Sequence, residues 1–160
     1  MGMDVYGMNP SSPCGNHFGI TVWGWRPLAT YVCEVAPEIA SKCKYWFSND
    51  CDGLNGEDSL LLADLLQKEI DSGRTEKYAC LRRSQFKLAP NKRCRICAGT
   101  GVRKPTPEGG AGDPTKDGFG CRGCYGRGYI PPSPDDYDFP VEILKKFVHF
   151  LRHSGGFEIW

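Results

Sequence analysis

Residues 94–101 read CRICAGTG and residues 121–128 read CRGCYGRG, one frame, C-x-x-C-x-G-x-G, written twice. No other feature constrains the fold of this chain as strongly. Two cysteines separated by two residues can turn their sulfurs to a common point, because the chain between them makes a tight knuckle. A pair of knuckles supplies the four thiolates of a closed tetrahedral zinc site. Cys94, Cys97, Cys121 and Cys124 are therefore the predicted ligands of one structural Zn2+. Gly99 and Gly126 are expected to take positive φ and bring backbone N–H groups near the sulfurs; Gly101 and Gly128 are expected to let the chain turn back with no side chain in the way. A closed set of four cysteines has no open coordination position, so the metal is assigned to folding and not to catalysis. A redox C-x-x-C pair and an iron–sulfur cluster are the rival readings. Two matched pairs, each with its own glycines, favour zinc over both.

The size of the chain, 160 residues, allows one domain or one domain with a small module set into it, and 40% hydrophobic content supports a core. Formal net charge is +1, so no global field points to nucleic acid or membrane. The distribution says more. Residues 91–130 hold eight basic side chains against three acidic ones, a formal +5, and leave the remainder at −4. Four thiolates around one divalent ion reduce that segment to about +3, a mild basic patch. No apolar run approaches the roughly 18 residues of a membrane helix. The start, MGMDVYGMNP, lacks the build of a signal peptide, and Tyr6 stands where a myristoylation signal wants Ser or Thr. Nine cysteines without an export signal fit a reducing compartment, so a cytoplasmic protein is expected.

Along the chain, turn residues around Asn9–Pro13 precede an apolar, aromatic stretch, His17 to Trp25, that suits a strand. Pro27 is expected to open a helix with Leu28, Tyr31, Val32 and Val35 on one face, and Pro37 to restart it to about Phe47 over Ile39, Cys43 and Trp46. Residues 48–56 read as a loop. Asp50-x-Asp52-Gly53 echoes a calcium loop, but registering it on Gly53 puts Ser48 and Ser59 at the two positions that matter most, so a polar turn is the better reading. Glu57 to Ser72 is a clear helix with Leu62, Leu65, Leu66 and Ile70 as its stripe and Gly73 as its stop. Tyr78 to Leu88 is expected as a strand or a helical turn. A last helix starts near Asp138-Phe139-Pro140, with Asp138 as cap, buries Leu144, Phe147, Val148 and Leu151, and runs to about His153 before a closing strand, Phe157 to Trp160. The expected fold is α+β: a body of helices and a small sheet, residues 1–90 plus 137–160, interrupted at 91–136 by a four-cysteine zinc module of turns and short hairpins.

The two frames resemble the cysteine-rich repeats of the zinc-finger domain in DnaJ-type co-chaperones. In that family they come four at a time, bind two zincs and help hold unfolded clients. The likeness spans residues 94–128; two repeats imply one zinc, and the His-Pro-Asp signature of the J-domain is missing from the sequence, so chaperone function does not come with the finger. The flanks, MGMDVYG, VWGWRPL at 22–28, SND at 48–50 and FLRHSGGFEIW, resemble small uncharacterised proteins encoded by bacteriophages and bacteria, some with such a finger before the last segment. That resemblance implies one interrupted body and brings no activity with it.

Other constellations are weaker. Cys14 and His17, with His149 and His153 one helical turn apart, have the spacing of a second metal site, but the two helical histidines fall beside Lys145, Lys146 and Arg152 and read instead as part of a solvated basic face. Cys33, Cys43, Cys51 and Cys80 lack partner spacing and read as core or bystanders. Trp23, Trp25 and Arg26 could form a stacking surface, although alternating aromatics in a strand more often pack inside. The Gly109–Gly120 stretch lacks the Lys-Ser/Thr ending of a phosphate loop, and no sequence motif pairs a nucleophile with a base, so no catalytic residue is predicted. The residues thus predict a non-enzymatic, zinc-bearing interaction protein; the resemblance of the flanks implies phage or prophage origin and a host protein as partner, and an enzyme whose active site follows no motif is the least favoured reading. Nucleic acid is the alternative partner. Arg95, Arg103, Lys104, Arg122 and Arg127 on the finger and Lys145, Lys146 and Arg152 on the last helix are the candidate contacts.

Overall fold

The computed structural model describes residues 2–102, 120–132 and 139–160. The fold is α+β. In chain order the elements are β1 (Gly2–Gly7), a 3-10 turn (Pro13–Gly15), β2 (His17–Thr21), α1 (Val22–Val35), α2 (Pro37–Ala40), β3 (Asp52–Asn55), α3 (Gly56–Asp71), α4 (Arg74–Leu88), β4 (Lys92–Arg93), β5 (Tyr129–Ile130), α5 (Val141–Ser154) and β6 (Gly156–Ile159). Two compact units divide the chain: Met1–Gln85 with Asp135–Trp160, and Phe86–Pro134.

The larger unit is built on an antiparallel sheet of order β2-β1-β6-β3. The closing strand β6 is central, pairing Val5 with Ile159 on one side and Leu54 with Phe157 on the other. Alternation explains its inner face: Met3 and Val5 of β1 and Phe157 and Ile159 of β6 are buried, while Tyr6 and Trp160 are exposed. α5 puts Leu144, Phe147, Val148 and Leu151 into the core as its helical spacing requires, and Leu62 and Leu66 of α3 are fully buried as well. Each such burial contributes about 1.5–3 kcal/mol relative to an exposed side chain. Gly155, at φ +62°, ends α5 in a left-handed cap and lets the chain enter β6 at once. The connection from β1 to β2 is tied to that same end. The N–H groups of Asn9 and Ser11 donate to the carbonyls of Ser154 (3.0 Å) and His153 (2.9 Å), and a Cβ on Gly15 would lie 2.0 Å from the His153 oxygen. Only glycine allows that approach.

Several expectations change. Gly2–Gly7, where no element was expected, forms the strand β1. The strand expected to Trp25 stops at Thr21, whose hydroxyl accepts the Gly24 N–H at 3.2 Å and caps α1. Trp23 and Trp25 therefore stand on a helix: Trp25 is core, Trp23 is 62% exposed, and Pro27 lies inside α1, where it forfeits one backbone bond instead of opening the helix. The restarted helix ends at Ala40, not near Phe47. Cys43 and Trp46 are buried nonetheless, because the Trp46 indole donates to the Ala40 carbonyl (2.9 Å) and the Trp25 indole to the Trp46 carbonyl (2.6 Å). Part of the expected loop at 48–56 pairs with β6 as β3. Tyr78–Leu88 belongs to α4, held to the core through Tyr78, which packs on Tyr31 and Phe139. Asp138 lies outside the described residues, and Pro140 occupies the cap position of α5. Among the described residues no helix is long and apolar enough to cross a membrane.

Candidate metal centre

In the smaller unit each frame folds into a knuckle. The Gly99 N–H reaches the Cys94 carbonyl at 3.1 Å, and the Gly126 N–H reaches the Cys121 carbonyl at the same distance. Gly99, Gly101, Gly126 and Gly128 all hold φ between +76° and +84°. Backbone N–H groups meet sulfur as expected: Gly101 donates to Cys97 Sγ (3.3 Å) and Gly128 to Cys124 Sγ (3.2 Å). The knuckles then exchange backbone bonds. Cys121 N–H donates to the Gly101 carbonyl (2.6 Å), and Cys94 N–H to the Gly128 carbonyl (3.0 Å). A Cβ on Gly101 would lie 2.4 Å from the Gly126 oxygen, and one on Gly128 would lie 2.4 Å from the Gly99 oxygen. Lys92–Arg93 pairs with Tyr129–Ile130 as a two-stranded ribbon at the outer ends of the two frames.

The result is a buried sulfur cage. Cys94, Cys97, Cys121 and Cys124 are at most 6% exposed, and their four sulfurs lie within 4.8 Å of one another. The Cys94–Cys121 and Cys97–Cys124 separations are 3.8 and 3.7 Å. A tetrahedral zinc with bonds of about 2.3 Å requires sulfur–sulfur edges of about 3.8 Å, whereas a disulfide would need about 2.05 Å. Burial opposes ionisation, yet the Gly101 N–H and the neighbouring thiols bring Cys97 down to about 6. At Cys124 burial prevails and pushes the thiol up to about 11. The amide donor thus favours the thiolate at Cys97 while burial favours the thiol at Cys124, and an incoming metal displaces the protons that the cysteines hold. Four buried sulfurs with two amide donors fit a metal ion of the zinc class, with these four cysteines as its ligands.

The basic residues of the module spread around this cage. Arg95, Arg122 and Arg127 are exposed; Arg103 and Lys104 lie outside the described residues. Arg127 Nε donates to the Cys124 carbonyl (3.1 Å) and its guanidinium sits 5.8 Å from the Tyr125 ring. On α5 the candidate cations Lys145, Lys146 and Arg152 are exposed, but Lys145 pairs with Glu142 at 2.7 Å and Arg152 with Asp64 at 3.2 Å.

A second set of ligand atoms comes together in the larger unit. Cys14, His149 and His153 each offer one within 4.8 Å of the others, so three of the four residues with second-site spacing meet where a solvated basic face was the favoured expectation. His17 stands apart from them, with Nε2 2.8 Å from Asp4 Oδ1. The signal was in the sequence as a cysteine beside a helical His-x-x-x-His, but only the pinned turn brings the two pieces together. Cys43 is buried, and burial, reinforced by Asp52, pushes its thiol up to about 12, so it is an inert core group. Searched against protein-family models, curated proteins and solved structures, the chain matches none of them.

Proposed function

We propose that the chain is a non-enzymatic interaction protein in which a structural zinc holds up a small recognition module. The observation that carries this reading is an inversion of the usual burial pattern. Among the described residues of the module the buried side chains are the four cysteines, while Ile96, Val102, Tyr125, Tyr129 and Ile130 are between 41% and 82% exposed. A module that needed those side chains for its own stability would bury them; a metal that supplies about 10 kcal/mol of folding free energy leaves them available to a partner. Exposed aromatic and aliphatic groups flanked by arginines have the composition of a protein-binding patch. The likeness of the flanks to small phage and bacterial proteins supports a partner in a bacterial host cell.

Pull-down from bacterial lysate with the full chain should recover one dominant protein. Ile96→Asp with Tyr125→Ala should lose it while zinc content stays unchanged. Equal recovery by the variant would overturn the reading. A nucleic-acid partner is the second reading, favoured by Arg127 lying over the Tyr125 ring, which together offer a charge and a stacking face. In that case binding to single-stranded DNA or RNA should fall steeply with salt, and Arg95, Arg122 or Arg127→Glu should abolish it.

A further inference from the structure

We infer that Cys14, His149 and His153 form a second metal site, open to solvent, for a divalent cation of the zinc class. The ligand atoms already lie within 4.8 Å of one another, and zinc with one sulfur and two imidazole ligands needs separations of about 3.3–3.6 Å, so a small inward rotation of exposed side chains closes the set. Two features of the fold hold the pieces in place. His149 and His153 are four residues apart on α5 and share a face, with ring centroids 4.9 Å apart. Cys14 stands on the 3-10 turn Pro13–Gly15, and that turn cannot drift from α5, because Gly15 packs directly on the His153 carbonyl and Ser11 N–H donates to it. The surroundings also suit a bound ion. The Ser12 hydroxyl is 2.8 Å from Cys14 Sγ and can donate to a thiolate, and the Ser11 hydroxyl, 3.3 Å from His153 Nδ1, restrains that ring. On the same helix Arg152 is engaged by Asp64 and Lys145 by Glu142, which leaves Lys146 as the cation of the three with no ion pair among the described residues and lowers the repulsion an incoming cation meets.

One thiolate with two imidazoles selects a borderline-soft ion over calcium or magnesium. Three protein ligands leave the fourth tetrahedral position for water or for a donor atom of a bound molecule, unlike the closed cage of four cysteines. Binding replaces the Cys14 S–H bond by a sulfur–metal bond and passes the proton to solvent. Cys14 and His149 are exposed, so this ion exchanges readily where the buried one does not.

The test uses the full chain without a histidine tag, with zinc alone as the probe. Saturation should give two zinc ions per chain, one of them removed early by a graded chelator. Cys14→Ser and His149→Gln, both at exposed positions, should each leave one tightly held zinc and weaken the exchangeable one at least about tenfold, with far-ultraviolet circular dichroism unchanged. Cobalt in the exchangeable site should show a thiolate charge-transfer band that Cys14→Ser removes. His17→Gln should change nothing. Saturation at one zinc, or a second zinc that survives both ligand substitutions, would overturn the site. Either result leaves the recognition role of the finger untouched, because that role depends on the cysteines of the other unit.

Discussion

Asp52 shows how a single carboxylate organises the turn before β3. Burial opposes its ionisation, but the N–H groups of Lys44, Gly53 and Tyr45 outweigh burial and hold its pKa below the usual value. A depressed folded-state pKa means that the stabilisation is present above the unfolded value, near 3.9, and is lost as pH falls through the range below it. Asp52→Asn should cost about 1 kcal/mol at pH 7 and flatten the fall in thermal midpoint as the pH drops below about 4. At the cage, Gly128→Ala adds a methyl 2.4 Å from the Gly99 carbonyl at a φ of +78°, so zinc competition assays should show affinity at least about tenfold weaker, without loss of any ligand. The four cysteines and their glycines were legible in the sequence because, within each frame, ligands and turns lie within eight residues of each other. The types and spacings of Cys14, His149 and His153 were also legible, but not their meeting, because 135 positions separate Cys14 from His149 and only the docking of the turn on α5 joins them.

Among the elements, the helices with a clear apolar stripe were the legible ones: α3 and α5 follow their spacing closely, and their observed bounds lie within about three residues of those expected. α3 also shows why its start is sharp. Asn55 accepts the Asp58 N–H through Oδ1 and donates to the Asp58 carboxylate, both at 2.9 Å, and Lys42 reaches that same carboxylate. Asn55→Ala should destabilise the larger unit by about 1–2 kcal/mol in denaturant titration, with an unchanged m-value. α4 was obscured because its buried residues are small, Thr75 and Ala79, and its polar residues run around the whole helix, leaving no stripe to read. β1 and β3 were obscured for a different reason. β1 begins and ends on glycine and is followed by turn residues, β3 has only four residues with Gly53 among them, and both pair with β6, a partner at the far end of the sequence.

At the scale of the molecule, all four tryptophans, at 23, 25, 46 and 160, fall in the larger unit, while the four-cysteine cage lies wholly in the smaller one. Tryptophan fluorescence therefore reports on one unit alone. Removing zinc with a strong chelator, or replacing Cys94 by Ser, should abolish protease resistance at residues 94–102 and 120–128 and leave the tryptophan emission and its thermal transition in place; a coincident loss of both would mean that the larger unit depends on the metal. The reciprocal bonds between the knuckles have one more consequence. Each frame completes the other: the last glycine of the first receives the leading cysteine of the second, and the reverse. The four ligands and, among the described residues, the backbone bonds that join the knuckles come from residues 94–101 and 121–128, so the described part of the module is a two-piece clasp whose halves meet through a shared ligand set and reciprocal backbone bonds. A clasp closed in this way is expected to hold without an unbroken chain between its halves. Cutting it at an engineered protease site within 103–119 should leave the zinc bound at its original stoichiometry, whereas release of the metal on cutting would show that the chain itself keeps the clasp closed.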